Sequence, residues 1–262
     1  MTEIIFIEKR YEFPETWDEC TDAQLLFLAK SYLANLHRFY MENEQGNKEP
    51  VSNEILEQLD YALFLGLINF DLRSIEEISE YDIEQMQDLI YGNNILHFIK
   101  NERNLYRNPF QKIKNLYGPA DNFLDMEGEE FFAAQRQLYE NMDAFIACLY
   151  RKKDSNGRES FSLQALNRNF PLIGKIPVEY KLLVRLYFES NVERLEQNNP
   201  EAFEGKDGGD SDFYEMLLNL AHEGTFGNYN EAIKANINLL FKEICRTVKE
   251  GKRLEEMYKN QK

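Results

Sequence analysis

Hydrophobic positions in this chain recur mostly at steps of three and four, the spacing of one face of an α-helix. The clearest run lies between Glu129 and Tyr150. Phe131, Leu138, Met142, Phe145 and Leu149 repeat at helical steps, and Phe132, Tyr139, Ile146 and Tyr150 widen the same face. Glu129, Arg136, Glu140 and Asp143 take the other side, so the pattern predicts one long amphipathic helix. A Gly118-Pro119 turn precedes it and a charged turn from Arg151 follows. A face so rich in Phe and Tyr has to be covered by other helices, which makes this stretch the expected core element.

Before it, residues 3–7 (EIIFI) have strand character and Tyr11–Phe13 is placed to pair back as a hairpin, ended by Pro14. Thr21 with Gln24 forms a capping box, from which a helix is expected over Asp22–Glu42 with Leu25, Leu28, Ala29, Tyr32, Leu36 and Phe39 inward. Asn43–Ser52 reads as a loop, with Ser52 capping a helix over the apolar run Ile55–Phe70. Gly66 in that run allows close packing. Asp71–Ser79 looks irregular. Asp82–Tyr91 is a short helix stopped by Gly92-Asn93-Asn94, and Ile95–Glu102 is a short apolar piece.

After the central stretch, Asn156-Gly157 signals a tight hairpin turn. A helix over Ser162–Asn169 should end before Pro171. Another opens at Pro177 and runs to about Gln197 with Tyr180, Leu183, Val184, Tyr187, Phe188 and Val192 inward. Gly205–Ser211 is a loop, Phe213–His222 a helix, and Thr225–Tyr229 a turn. A final continuous helix then reaches Lys259, apolar to Val248 and charged from Thr247 on, where it projects. The expected fold is mainly α: a multi-helix globular bundle of roughly eight to ten helices with a small N-terminal β element and one further hairpin. It is read as a single domain over 1–262, with a subdivision into 1–116 and 117–262 at the basic stretch before Gly118-Pro119.

Composition narrows the function. With 46 acidic and 30 basic residues among 262, the net charge is −16, which works against direct binding to nucleic acid or to an anionic membrane. No apolar run reaches the length of a membrane span, and MTEIIFIEKRYEF does not read as a signal peptide. Cys20, Cys148 and Cys245 are odd in number and far apart. Cys148, among apolar neighbours, is an expected core residue, and a reducing cytosol is the expected compartment.

Candidate chemistry is sparse. His37, His97 and His222 have no metal-ligand or catalytic partners at motif spacing. Asp207, Asp210 and Asp212 lack the order of a calcium loop. Leu172–Ile176 lacks the first Gly and the Ser/Thr of a phosphate loop. Glu129-Glu130 has the look of a carboxylate pair, but acids in a first helical turn are explained by the helix dipole. The basic stretch Asn101–Asn115, with Arg103, Arg107, Lys112 and Lys114 among Tyr106, Phe110 and Tyr117, fits either a solvated linker or a weak single-strand binder. No catalytic residue, metal ligand or cofactor is expected.

Three segments carry a resemblance. They are Phe13-Pro14-x-x-Trp17-Asp18-Glu19 leading into the Gln24 helix, the stretch from Gly118-Pro119 to Cys148-Leu149-Tyr150-Arg151, and Leu220-Ala221-His222-Glu223-Gly224-Thr225-Phe226-Gly227. Together they resemble prophage-encoded proteins of gut bacteria that look like tail assembly chaperones or tail-associated structural proteins. The match departs at Lys152, where the resemblance leads to an expected Pro. It implies a small helical protein that is not an enzyme. Such a protein coats the long tape measure protein until tube subunits replace it, working in the bacterial host cytoplasm or remaining in the virion. The expected partner surface is the turn of Gly224, Phe226, Gly227 and Tyr229; the other reading of the two rings is that they plug the core. Two other functions stay open: an acidic mimic of DNA that blocks a host DNA-binding protein or nuclease, and an enzyme of unrecognised type.

Overall fold

The computed structural model describes residues 1–42, 48–50, 52–155, 157–203, 218, 221–222 and 224–259. The loop expected over Gly205–Ser211, most of the Phe213–His222 stretch and Asn156 lie outside the described residues. The fold is mainly α, with small two-stranded antiparallel sheets. The chain divides into two compact units: Met1–Leu105 with Pro177–Leu186, and Tyr106–Ile176 with Tyr187–Lys262.

The first unit opens with the expected hairpin, β1 (Thr2–Phe6) paired to β2 (Lys9–Phe13). The strand stops one residue short of expectation because Ile7 and Glu8 form the turn, both at positive φ (49° and 56°). That backbone suits the right-handed twist of a hairpin but puts two side chains in the left-handed region. Alternation turns Ile4, Phe6 and Phe13 inward, where Phe64 meets Phe6 edge-on at 5.4 Å and stacks with Phe13 at 5.8 Å.

Helix α1 (Asp22–Ser31) begins at the Thr21–Gln24 capping box, both reciprocal bonds present. It does not run to Glu42. A 3-10 turn at Leu33–Asn35, a short α2 (Leu36–Phe39) and strands β3 (Tyr40–Glu42) and β4 (Lys48–Pro50) take over. The Gln24 amide also reaches the carbonyl of Leu67 at 2.6 Å, at the end of α3 (Asn53–Leu67). Ser52 stands at the N-cap of α3 without a side-chain cap bond. A Cβ at Gly66 would lie 2.0 Å from the Phe27 ring, so the close approach of α1 and α3 depends on this glycine. Leu72–Glu77, read as irregular, is a 3-10 helix. Then come α4 (Glu80–Gln87), a π turn over Asp88–Gly92, and α5 (His97–Asn101). Buried Trp17 donates from its indole N–H to the Phe98 carbonyl at 3.0 Å.

In the second unit the long central helix is two helices, α6 (Gly128–Gln137) and α7 (Met142–Leu149). Asn141 is the cause: its side chain accepts from the N–H groups of Asp143 and Ala144 and starts a new helix. Helical register is lost between them, so Tyr139 is 74% exposed rather than inward, while Phe131, Phe132, Leu138, Phe145, Ile146, Leu149 and Tyr150 are buried. The core is aromatic. Phe188, on α9 (Val178–Asn198), stacks with Phe131 at 5.5 Å and meets Phe145 edge-on at 5.2 Å.

Two further boundaries differ from the pattern. Helix α8 (Leu163–Ile173) runs through Pro171. The carbonyl that loses its helical N–H partner is that of Asn167, four residues back, an exposed residue. The final helix is broken into α10 (Tyr229–Lys234) and α11 (Ile237–Lys259). At the break the Asn236 amide donates to the carbonyls of Phe123 and Leu124 (3.1 and 3.0 Å), and Ile237 N–H to that of Met126. Of the small sheets, β5 (Lys112–Ile113) pairs with β6 (Leu116–Tyr117). The hairpin expected at Asn156-Gly157 is present as β7 (Lys153–Asp154) with β8 (Gly157–Arg158). A Tyr117–Arg151 bridge joins β6 to the start of the β7 segment.

Candidate functional site

The densest polar cluster is one the residue pattern did not indicate. Glu130, in the first turn of α6, is fully buried, which the dipole of an exposed first turn does not explain. Its Oε2 accepts from Arg151 at 2.9 Å and from Arg158 at 3.0 Å, and its Oε1 accepts a second, short bond from Arg158. Arg151 is itself buried. It donates to the carbonyls of Glu159 and Cys148, both at 2.6 Å, and its guanidinium lies 5.7 Å from the centre of the Phe161 ring. Arg158 donates to the Leu149 carbonyl at 2.9 Å and pairs with Asp125 at 3.3 Å. Two guanidiniums against Glu130 and Asp125 leave the cluster electrically balanced.

Local chemistry follows from that balance. Burial works against the Arg158 charge, but Glu130 and Asp125 outweigh it and raise its pKa. Glu127, at the N-cap of α6, has a buried Oε2 with no hydrogen-bond partner. Burial first, and the negative Glu130 second, raise its carboxyl above the ordinary range. Burial, with Glu130 adding to it, pushes the Cys148 thiol up to about 12, so this cysteine is an inert core residue as expected. Tyr150 is fully buried, raised by burial, and its hydroxyl sits 2.9 Å from Asn108 Oδ1 and 2.7 Å from the Phe110 carbonyl. Glu130 has both oxygens committed to guanidinium N–H groups and none exposed. It is a clamp between α6 and the segment after α7, not a general base.

The expected partner turn is built differently. Gly224 and Gly227 hold positive φ (74° and 79°), and Asn228 caps α10 in a capping box closed by Glu231. Phe226 and Tyr229 are half-buried, between the two readings of the sequence. The break at Asn236 sits just beyond α10. Around it Leu124 (71%), whose carbonyl accepts from Asn236, and Leu239 (55%), in the first turn of α11, are exposed.

His97 is partly exposed, with Nδ1 3.2 Å from the Asn94 amide and 3.0 Å from that of Asn101; His222 is exposed. Cys20 and Cys245, like Cys148, are buried and in no disulfide. Among the described residues no group of three or more His, Cys, Asp or Glu side chains is arranged to hold a metal ion, and no helix is long and apolar enough to cross a membrane. What sequence reasoning missed was Arg158. It stands 28 positions from Glu130, and only the hairpin through Gly157 brings it back. Compared with known proteins, the chain matches no family model, and no curated protein or solved structure is significantly similar to it.

Proposed function

We propose that this chain is a non-enzymatic binding factor of phage tail assembly, of the kind that covers a tape measure protein. Its contact surface would be the Gly224–Tyr229 turn with the start of α11. The observation that carries the reading is the joint at Asn236. There a helix is interrupted, half-buried Tyr229 opens the short helix before the break, half-buried Phe226 lies in the turn ahead of it, and exposed Leu124 and Leu239 flank the break. Leu124 and Leu239 are two of several large apolar side chains left exposed, and at an interrupted helix such side chains are what a partner helix covers. Internal commitment of the Glu130 cluster agrees with a role that does no acid–base chemistry.

The test pairs a phage tape measure protein with the wild-type chain and two variants, Phe226→Ala and Leu124→Asp/Leu239→Asp, in co-expression pull-downs. The double variant, changed only at exposed positions, should keep its far-UV CD and melting temperature and lose the partner. Retained binding by a folded double variant removes the surface from consideration. Loss of stability in Phe226→Ala assigns that ring to the core.

A further inference from the structure

Three segments of the second unit lie next to one another: Gln111–Tyr117 and Arg151–Asp154, linked by the Tyr117–Arg151 bridge, and Leu172–Ile176, the end of α8 and the turn after it. They carry six basic residues and one acid, in a chain where acids outnumber bases 46 to 30. Register places Lys112 opposite Tyr117 on the outer face, while Ile113 and Leu116 point inward and are buried. The Lys112 ammonium lies 5.1 Å from the centre of the Tyr117 ring, and that of Lys153, from β7, lies 5.8 Å from it. Lys114 donates to the Lys175 carbonyl at 3.3 Å, which brings the α8 end into the group. Lys112, Lys114, Lys152, Lys153 and Lys175 are all exposed. Acids stand at the border of this group: Asp154 on β7, Asp143, whose Oδ2 lies near Gly174, Glu159, whose N–H donates to the Lys152 carbonyl, and Asp121, which accepts from the Gln111 amide.

We propose that this lysine face around Tyr117 is a docking site for an acidic segment of a partner protein. Concentrating like charges costs repulsion, and the fold has placed them together on the surface of an acidic chain, where they complement a carboxylate-rich strand or loop. Single-stranded nucleic acid fits less well. Tyr117 is half-buried and its ring is already engaged by two ammonium groups, so it has no free platform for a base. The one arginine of these segments, Arg151, is buried in the Glu130 cluster and does not reach out to fork a phosphate. A long polyanion would also run past the lysines into the field of a −16 chain, whereas a short acidic segment meets the lysines alone. This inference stands apart from the tail-assembly reading and does not require it.

The experiment is fluorescence anisotropy of a short labelled oligo-glutamate peptide at low ionic strength, with oligo(dT) as a second probe. Wild type should bind oligo-glutamate, more weakly as salt rises. Lys112→Gln/Lys114→Gln/Lys152→Gln/Lys153→Gln should lose about tenfold in affinity, the scale of a few exposed ion pairs. Lys112→Arg/Lys153→Arg should retain binding, as should the distant pair Lys234→Gln/Lys242→Gln. If the quadruple variant loses its CD spectrum, Lys152→Gln/Lys175→Gln, which leaves both Tyr117 contacts in place, takes over. No binding by wild type, equal binding by the folded Gln variant, or tighter binding of oligo(dT) through these same lysines would each overturn the proposal.

Discussion

Replacing Glu130 by Gln is the substitution that probes the second unit most sharply. Glutamine keeps the shape of the side chain but removes the charge. It also turns one acceptor into an N–H donor aimed at a guanidinium. Arg151 and Arg158, with side chains 2% and 6% exposed, are then left without their buried counter-ion. Breaking a buried ion pair from one side costs about 3–5 kcal/mol, because the stranded charge keeps its desolvation penalty. One retained oxygen and the carbonyl bonds of both arginines place Glu130→Gln near the lower end, about 3 kcal/mol. For a unit of this size that is a drop in melting temperature of roughly 10 °C. Far-UV CD during urea titration is the proper signal, since Trp17 lies in the first unit and reports on its own surroundings there. In a double-mutant cycle, Glu130→Gln/Arg158→Gln should lose less than the sum of the single changes, with a coupling of about 1–3 kcal/mol. A Glu130→Gln loss below about 1 kcal/mol, the scale of an exposed pair, would mean the cluster is hydrated, and the reasoning would fail.

Three other outcomes are expected. Gly118→Ala should destabilise by about 1–3 kcal/mol in urea titration, because its Cβ would fall 2.6 Å from both Asn108 Nδ2 and the buried Tyr150 ring; a neutral result would mean that ring can move. Ile7→Asn with Glu8→Gly should raise the melting temperature, by about 1 kcal/mol of stability, since both residues hold left-handed backbone; an unchanged or lower value would deny the type of turn. Glu127→Gln should stabilise the protein at neutral pH. The folded carboxyl has a raised pKa, so its contribution is fully present below the unfolded value near 4.5 and is lost as pH rises through the folded one. The advantage of the Gln variant should therefore vanish at lower pH; an advantage independent of pH would rule out this linkage.

What the residue pattern revealed was whatever is decided within a few positions. The Thr21–Gln24 capping box and the pairings β1–β2 and β7–β8 depend on neighbours in sequence, and the structure contains them; the close approach at Gly66 was marked by the glycine itself, though not its partner Phe27. Breaks were harder. The aromatic period runs on through Tyr139, which hid the stop at Asn141, and the apolar period of the last helix hid the one at Asn236. Both are asparagines whose amides serve the backbone, Asn141 locally and Asn236 across 112 residues to Leu124. Only the first kind leaves a local signal, an N-cap residue followed by Asp143 in the first turn. Glu130 could be read only as a first-turn acid, and of the lysine face only the basic stretch with Lys112, Lys114 and Tyr117 was visible, without Lys152, Lys153 and Lys175. Cluster and face are each assembled by tertiary contacts between segments with ordinary spacing, and a buried carboxylate looks the same in sequence as a solvated one. The Pro171 boundary failed for a different reason: proline forbids one hydrogen bond, and here that loss falls on Asn167, an exposed residue.

The most direct measurement is affinity purification of the tagged chain from cells producing a complete tail gene cluster, with mass spectrometry of what accompanies it and of finished particles. A binding factor of tail assembly should bring down a long, helix-rich tape measure protein, lose it in Leu124→Asp/Leu239→Asp, and be absent from mature tails. Recovery of the folded chain alone, or with a nuclease or DNA-binding protein as its dominant partner, would contradict that function.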